Sequence, residues 1–310
     1  MKVILATRGS ALALEQARLV ARLLEEASPG DEVSIRVVKT GGDKLVDMPL
    51  SRMPGKGVFV KEIEDCLLRG EARLAVHSAK DLPVELPAGL CLAATPKRED
   101  PRDVLISRDN KRLEELPRSA VIGTGSPRRK AQLLAFRPDL RIENIRGNLD
   151  TRIAKLRGKR TSPVRYDAIV VAAAGCVRAG FEEEIAEYLH PEVVLPAAGQ
   201  GALAIECRED DAEAVQMAGR INDPQTFAAV LAERALVRNL GGGCNVPIAA
   251  YADLEGGALR LRGAVMSQDG TRVVQAEARG LVSEAQLLAD EVAEKLFKLG
   301  AESIIGQATS

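Results

Sequence analysis

Short β-rich runs alternate with amphipathic helical runs through most of this 310-residue chain, and that alternation limits the fold more than any other feature. Lys2–Thr7 reads as a strand, Ala11–Ala27 as an amphipathic helix and Glu32–Thr40 as a second strand. Val58–Arg69 reads as a helix, and Arg73–His77 and Leu90–Thr95 as further strands. Strands interleaved with helices imply a parallel or mixed sheet covered on both faces. The charge pattern shifts near Pro96–Pro101, which marks a candidate domain crossing. A second block follows, with strands at Val104–Ser107, Ala120–Thr124, Leu140–Ile145 and Tyr166–Ala173, and helices at Arg128–Phe136 and Asn148–Arg157. Val193–Arg208 reads as a Gly/Pro-marked return crossing that leads into a buried strand. The tail changes character: a helix at Pro224–Asn239, strands at Val246–Leu254, Ala258–Met266 and Arg272–Ala278, then a helix at Ser283–Leu299. Consecutive strands joined by Gly-bearing turns suggest an antiparallel α+β module.

Composition removes several classes. With 46% hydrophobic and 28% charged residues the chain is globular, and its length suits two or three cored domains. No apolar run is long enough for a membrane span, and Met1-Lys2 leads straight into a strand-like run without an apolar leader. The expectation is a cytoplasmic protein. Rings make up 3% of the residues and Trp is absent, which disfavours a base-stacking single-strand binder. The five cysteines, at 66, 91, 176, 207 and 244, are scattered, and the two histidines form no ligand motif with them. Neither a disulfide framework nor a metal site is expected.

The net charge of −1 hides a segregation. Residues 97–165 hold 19 Lys/Arg against 9 Asp/Glu, a balance of +10, whereas residues 166–232 hold 3 against 12, a balance of −9. Solvated faces or an anion site would both produce this pattern.

Three turns at predicted strand ends bear on that choice. Ile122-Gly123-Thr124-Gly125-Ser126-Pro127-Arg128-Arg129 runs from strand through a Gly/Thr/Ser turn into a helix. Free backbone N–H groups, hydroxyls and two guanidinia there suit a phosphate or carboxylate. Arg146-Gly147-Asn148 with Arg152, and Arg8-Gly9-Ser10, repeat the theme. Open α/β sheets place ligands at such ends, and arginine forks bind carboxylates with two parallel bonds. Together the turns point to a polyanionic ligand, although each alone also fits a helix N-cap with surface arginines.

His77-Ser78-Ala79-Lys80-Asp81 follows a strand as well. Asp81 could serve as acid, base or cation stabiliser, or simply pair with its neighbouring Lys80. His77, with no nucleophile near it in sequence, reads as a packed residue. Gly241-Gly242-Gly243-Cys244 sets one thiol at a flexible turn, while the other four cysteines lie in apolar runs. A covalent role is therefore expected of Cys244.

These motifs, taken in order, resemble the porphobilinogen deaminase (hydroxymethylbilane synthase) family along nearly the whole chain. The resemblance rests on Arg8-x-Ser10-x-Leu12-Ala13-x-x-Gln16, Gly55-Lys56-Gly57-x-Phe59 and Val76-His77-Ser78-x-Lys80-Asp81. It continues through Gly123-Thr124-x-Ser126-x-Arg128-Arg129, Arg146-Gly147-Asn148, Leu195-Pro196-x-x-Gly199-Gln200-Gly201 and Gly242-Gly243-Cys244-x-Val246-Pro247.

The resemblance implies stepwise head-to-tail condensation of four porphobilinogen molecules onto a dipyrromethane cofactor, with loss of ammonia and hydrolytic release of hydroxymethylbilane. By motif, the cofactor is tethered through a thioether to Cys244, and Asp81 is the catalytic carboxylate that steadies the cation formed as ammonia leaves. Asp43, Ser78, Lys80, Thr124, Ser126, Arg128, Arg129 and Gly147 match cofactor contacts. Arg8, Ser10, Gln16, Arg146, Arg152 and Arg178 match substrate contacts, and Lys56 and Phe59 a mobile loop. The pyrroles would be held by their carboxylates and N–H groups more than by stacking.

The implied fold is α/β: two doubly wound domains like a type II periplasmic binding protein, plus a C-terminal α+β domain with a three-stranded antiparallel sheet. The implied domains are 1–97 with 196–217, 98–195, and 218–310. A monomer is implied, with porphobilinogen and the growing oligopyrrole as ligands, no nucleic acid, and product passing to the next pathway enzyme. The chain departs from the family pattern at Cys176 and Val177, beside Arg178, where Leu and Lys are typical, and in a basic stretch at 158–165 read as a surface loop.

Overall fold

The computed structural model describes residues 2–41, 60–241 and 246–309. Strands β1 (Lys2–Arg8), β2 (Glu32–Val38), β3 (Leu74–Ser78) and β4 (Leu90–Ala94) belong to a first sheet, with helices α1 (Ala11–Ala27) and α2 (Lys61–Leu68). A second sheet holds β5 (Asp103–Ser107), β6 (Val121–Gly123), β7 (Arg141–Glu143), β8 (Ala168–Ala172) and β9 (Glu187–Tyr188). Its helices are α3 (Pro127–Phe136), α4 (Leu149–Leu156) and α5 (Ala173–Arg178). The chain then returns: β10 (Leu203–Arg208) enters the first sheet, followed by α6 (Ala212–Gly219).

Both sheets share one plan. The first runs β2-β1-β3-β10-β4 and the second β7-β6-β8-β5-β9. In each, three neighbouring strands are parallel and the fourth in order is antiparallel to both its neighbours. That fourth strand is the one delivered by a crossing from the other lobe. This is the doubly wound, twice-crossed architecture of type II binding proteins. β3 and β8 are buried along nearly their full length, as expected for strands covered on both faces.

Local sequence accounts for the elements that flank the crossings. The Ser10 hydroxyl accepts from Ala13 N (3.3 Å) and caps α1, whose Ala17, Val20, Ala21 and Leu24 pack on Leu5, Leu74, Val76 and Ile205. Asp223 caps α7 (Pro224–Asn239) by accepting from Thr226 N (2.7 Å), and Pro224 occupies the first helical turn. α7 begins the third module, in which β11 (Ile248–Glu255), β12 (Ala258–Met266) and β13 (Val273–Gly280) form an antiparallel meander. α7, α8 (Ala285–Lys298) and α9 (Ala301–Thr309) cover it, with Leu236, Leu261, Val292 and Leu296 fully buried between them.

A buried charge pair joins this module to the lobes. Glu233 of α7 receives Arg98 Nη1 (2.6 Å) and Nη2 (3.1 Å), Gly199 N (2.6 Å) and Ala252 N (2.8 Å). Arg98, on the first crossing, also donates from Nε to the Gln200 carbonyl (2.8 Å) on the second. Each carboxylate oxygen thus has two donors, which a buried charge requires.

The structure amends several sequence readings. The strand expected through Ala173 stops at Ala172, and the alanine-rich run continues as α5, because alanine carries no periodic signal to separate the two. α6, α9 and β9 lay outside the expected elements. Two cations of the +10 segment are neutralised from outside it, since Arg98 pairs with Glu233 and Arg157 with Glu184. Of the four cysteines outside the glycine turn, Cys66, Cys176 and Cys207 are buried, whereas Cys91 is half-buried with its Sγ 3.8 Å from that of Cys207.

Candidate active site

A cleft of about 520 Å³ lies between the lobes at the ends of the parallel strands. The first lobe contributes Arg8, Ser10, Gln16, Ser78, Lys80 and Asp81; the second contributes Ser126, Arg128, Arg129, Gly147, Arg152 and Arg178. Six cations thus face two carboxylates, Asp81 and Asp150.

Asp81 ends a single 3-10 turn, Ala79–Asp81, that follows β3 directly. Ala79 N donates to the Ala202 carbonyl (3.0 Å), which ties this turn to the return crossing. Gly199 lies underneath with φ +71°, and a Cβ there would come within 2.9 Å of the Ala79 carbonyl carbon and 3.0 Å of Lys80 N. Only glycine permits that approach. Asp81 itself is exposed to the cleft. Ser78, just before it, exchanges hydrogen bonds with Gln16, whose Nε2 donates to Ser78 Oγ at 3.0 Å.

Lys80 also opens to the cleft, yet protein stands on both sides of it. That desolvation, the largest influence, pulls its ammonium down to about 8 despite the attraction of Asp81. It remains mostly protonated at neutral pH.

Arg128 and Arg129 are buried and share one counterion. Asp103, at the start of β5, accepts from Arg128 Nη2 (2.7 Å) and Arg129 Nε (2.8 Å). Burial alone would raise the Asp103 carboxyl; the two guanidinia overcome this and hold it below the usual carboxylate range. Gln200 Nε2 donates to Asp103 Oδ1 (3.0 Å) and to the Pro101 carbonyl (2.7 Å), so the pair is anchored at both crossings. The arginine pair therefore offers a net charge of +1 rather than +2.

Arg152 Nε donates to the Gly147 carbonyl (2.8 Å), and burial pulls this guanidinium down to about 10. Arg178 Nη2 reaches across to the Gly201 carbonyl (2.7 Å), while its buried Nε has no partner among the described residues. Desolvation lowers its pKa as well. A carboxylate arriving in the cleft would answer that orphaned donor.

The structure separates some residues that the sequence grouped. Thr124 is buried off the cleft wall, where its Oγ1 accepts from Ser126 N (3.2 Å) and shapes the turn. Arg146 is also absent from the described wall, and its carbonyl accepts from Lys155 Nζ (3.0 Å). Asp43, Lys56, Phe59 and Cys244 lie outside the described residues. His77 is packed, with Nε2 3.1 Å from the buried Glu206 carboxylate. Sequence reasoning passed over Asp103 and Phe181, and it quoted Gln200 only as part of a motif.

Fold and site together define a two-lobed α/β protein whose interlobe cleft is lined by six cationic side chains and two carboxylates, Asp81 and Asp150. The family model for the dipyromethane cofactor binding domain of porphobilinogen deaminase matches residues 3–216, and that for its C-terminal domain matches residues 227–298. The chain belongs to the porphobilinogen deaminase family. It is 48% identical over 301 residues to the porphobilinogen deaminase of Syntrophomonas wolfei, covering 97% of each chain. It is 46% identical over 304 residues to that of Desulforamulus reducens, covering 98% of this chain and 97% of the relative. Among solved structures, the methionine-binding protein MetQ aligns with 73% of this chain and 90% of its own at 11% identity and a TM-score of 0.41.

Proposed function

We propose that this chain is a hydroxymethylbilane synthase, a transferase that joins four porphobilinogen molecules head to tail and releases the linear tetrapyrrole. The observation that carries this reading is Asp81, exposed in a cleft that it shares with six cationic side chains. Each pyrrole brings an acetate and a propionate, so the ligand's negative charge grows with every ring.

The donor set fits a dipyrromethane cofactor. Ser78, Lys80, Ser126, Arg128, Arg129 and Gly147 would hold it, with Thr124 shaping the turn, Asp43 as a further contact and Cys244 as the point of attachment. When bound, this group supplies the pyrrole carbon to which the first substrate is joined. Arg8, Ser10, Gln16, Arg152 and Arg178, with Arg146, would take the carboxylates and polar groups of incoming rings. Lys56 and Phe59 would belong to a loop over the cleft.

In each addition the bond from carbon to the substrate's aminomethyl nitrogen breaks and ammonia leaves. A carbon–carbon bond forms, and the attacked pyrrole carbon gives up its proton. Asp81 places fixed negative charge where positive charge develops on the substrate, a preorganised stabilisation that needs no rearrangement at the moment of reaction. Water finally releases the product.

The domains are 1–97 with 196–217, 98–195, and 218–310, the last bearing Cys244. The enzyme acts as a monomer in the cytoplasm and passes its product to the next step of tetrapyrrole synthesis. None of the described helices is long and apolar enough to cross a membrane.

Intact-mass measurement tests the whole reading. Purified chain should carry an adduct of two pyrrole units, Cys244→Ser should lack it, and added porphobilinogen should extend it ring by ring. An unmodified chain without turnover, purified from cells that make porphobilinogen, would sink the proposal. Strong, salt-sensitive binding to DNA or RNA would favour a nucleic-acid protein instead.

A further inference from the structure

Phe181 is the one aromatic side chain among the described residues lining the cleft. Its place is set by the end of α5. Gly180 N donates to the Val177 carbonyl (3.2 Å) and Phe181 N to the Cys176 carbonyl (2.8 Å), the paired bonds of a Schellman ending. Gly180 takes the left-handed conformation this requires, at φ +71°. The chain is thereby turned back, and Phe181 packs against the second-lobe core cluster that includes Cys176, Ile169 and Val171. The ring is half-buried: one part belongs to the core and the rest looks into the cleft.

Its surroundings leave that surface open to a ligand. The wall on that side carries small residues, Ala172, Ala174, Gly175 and Ala179, with Leu12 and Leu149 reaching in only as far as Gly175. Three positions earlier stands Arg178, with its unpartnered Nε. A flat aromatic surface and a guanidinium donor, three residues apart across the end of α5, match the two parts of a pyrrole acid, an aromatic ring and its carboxylate arm.

We propose that Phe181 is a ring-contact residue for the growing oligopyrrole, packing against a pyrrole whose carboxylate Arg178 holds. This rests on the hydroxymethylbilane synthase reading and adds to it a ring contact where carboxylate and N–H contacts were expected to dominate. Offset or edge-to-face packing of two aromatic rings adds a modest stabilisation to simple burial of the same area. Because Phe181 is held by the core, little conformational entropy is lost on contact.

The test compares the parent with Phe181→Tyr, Phe181→Leu and Phe181→Ala, measuring intact mass, thermal midpoint, KM and kcat with porphobilinogen. All four should carry the dipyrrole adduct. Phe181→Leu and Phe181→Ala should raise KM roughly fivefold, the size of one aromatic contact, with kcat within about twofold of the parent. Phe181→Tyr, which keeps the ring, should match the parent. Leu restoring the parental KM would show that volume rather than the ring matters, and would overturn the proposal. So would an unchanged KM in Phe181→Ala, or a fall in kcat at constant KM. Should Phe181→Ala fail to fold, the Leu and Tyr variants decide the matter alone. A parent without adduct or turnover would defeat the parent reading and this one together, whereas an active parent with indifferent variants defeats only this one.

Discussion

The Asp103 carboxylate lies 2.7 Å from Arg128 Nη2, with both side chains buried at the base of the cleft. The same carboxylate holds Arg129, so one residue fixes the direction of two guanidinia. Replacing it with Asn leaves two buried cations without a counterion. Asp103→Asn should cost about 3–5 kcal/mol in urea unfolding, the usual penalty for breaking a buried pair by removing one partner. Its adduct fraction by intact mass should fall as well. Because the folded carboxyl titrates below its unfolded value, its contribution is full above the ordinary Asp pKa and is lost as pH falls through the lower folded one. The parent should therefore lose stability in acid more steeply than the Asn variant.

Asp81 is exposed and lies beyond the buried bonds that fix its turn. Asp81→Ala should leave the thermal midpoint within a degree or two and lower kcat by about 10²–10³, as for loss of one preorganised electrostatic group. Wild-type turnover in this variant would remove Asp81 from the mechanism.

Lys80 titrates at about 8, depressed chiefly by desolvation. As pH rises through that value the ammonium loses its proton, and the cleft loses one cationic contact. KM for porphobilinogen should rise on the alkaline side, with kcat less affected. Lys80→Arg, charged throughout this range, should flatten the rise. A KM profile unchanged by that substitution would contradict the assignment.

Glu64 on α2 is buried against β3 and β10, where Glu206, His77 and the neighbouring Asp65 are its titratable company. Burial first, then repulsion from Glu206 and Asp65, pushes its carboxyl up to about 7. A raised folded pKa means stability that is full below the unfolded value of 4.5 and is lost as pH rises through about 7. Urea midpoints of the parent should decline across that window. Glu64→Gln should remove most of the decline.

Sequence reading was most accurate where local chemistry was complete. Ser10 with the apolar spacing behind it gives α1 as Ala11–Ala27, and Asp223 with Pro224 gives α7 as Pro224–Asn239. It was weakest where the signal was absent, as in the alanine run that divides between β8 and α5. The cleft followed the same rule. Arg-bearing turns at strand ends raised the expectation of an anion site, and Arg8, Arg128, Arg129 and Arg152 from those turns line the cleft. The pairing of Asp103 with residues 25 and 26 positions away left no local mark, since spacing cannot show which distant carboxylate a buried arginine will meet. Nor could it show that Arg146 and Thr124 fall off the described wall while their neighbours line it.

The position of β10 bears on how the molecule is made. Among the described strands β4 joins the first sheet only through β10, which is synthesised after the whole of the second lobe. On the ribosome the second lobe has all its strands while the first still lacks the one that seats its edge. Domains fold as units once their segments have emerged, so the nested lobe can close before the lobe that encloses it in sequence. The lobe bearing the cleft carboxylate is begun first and completed second, through a strand pairing of the long-range kind that is slow to form.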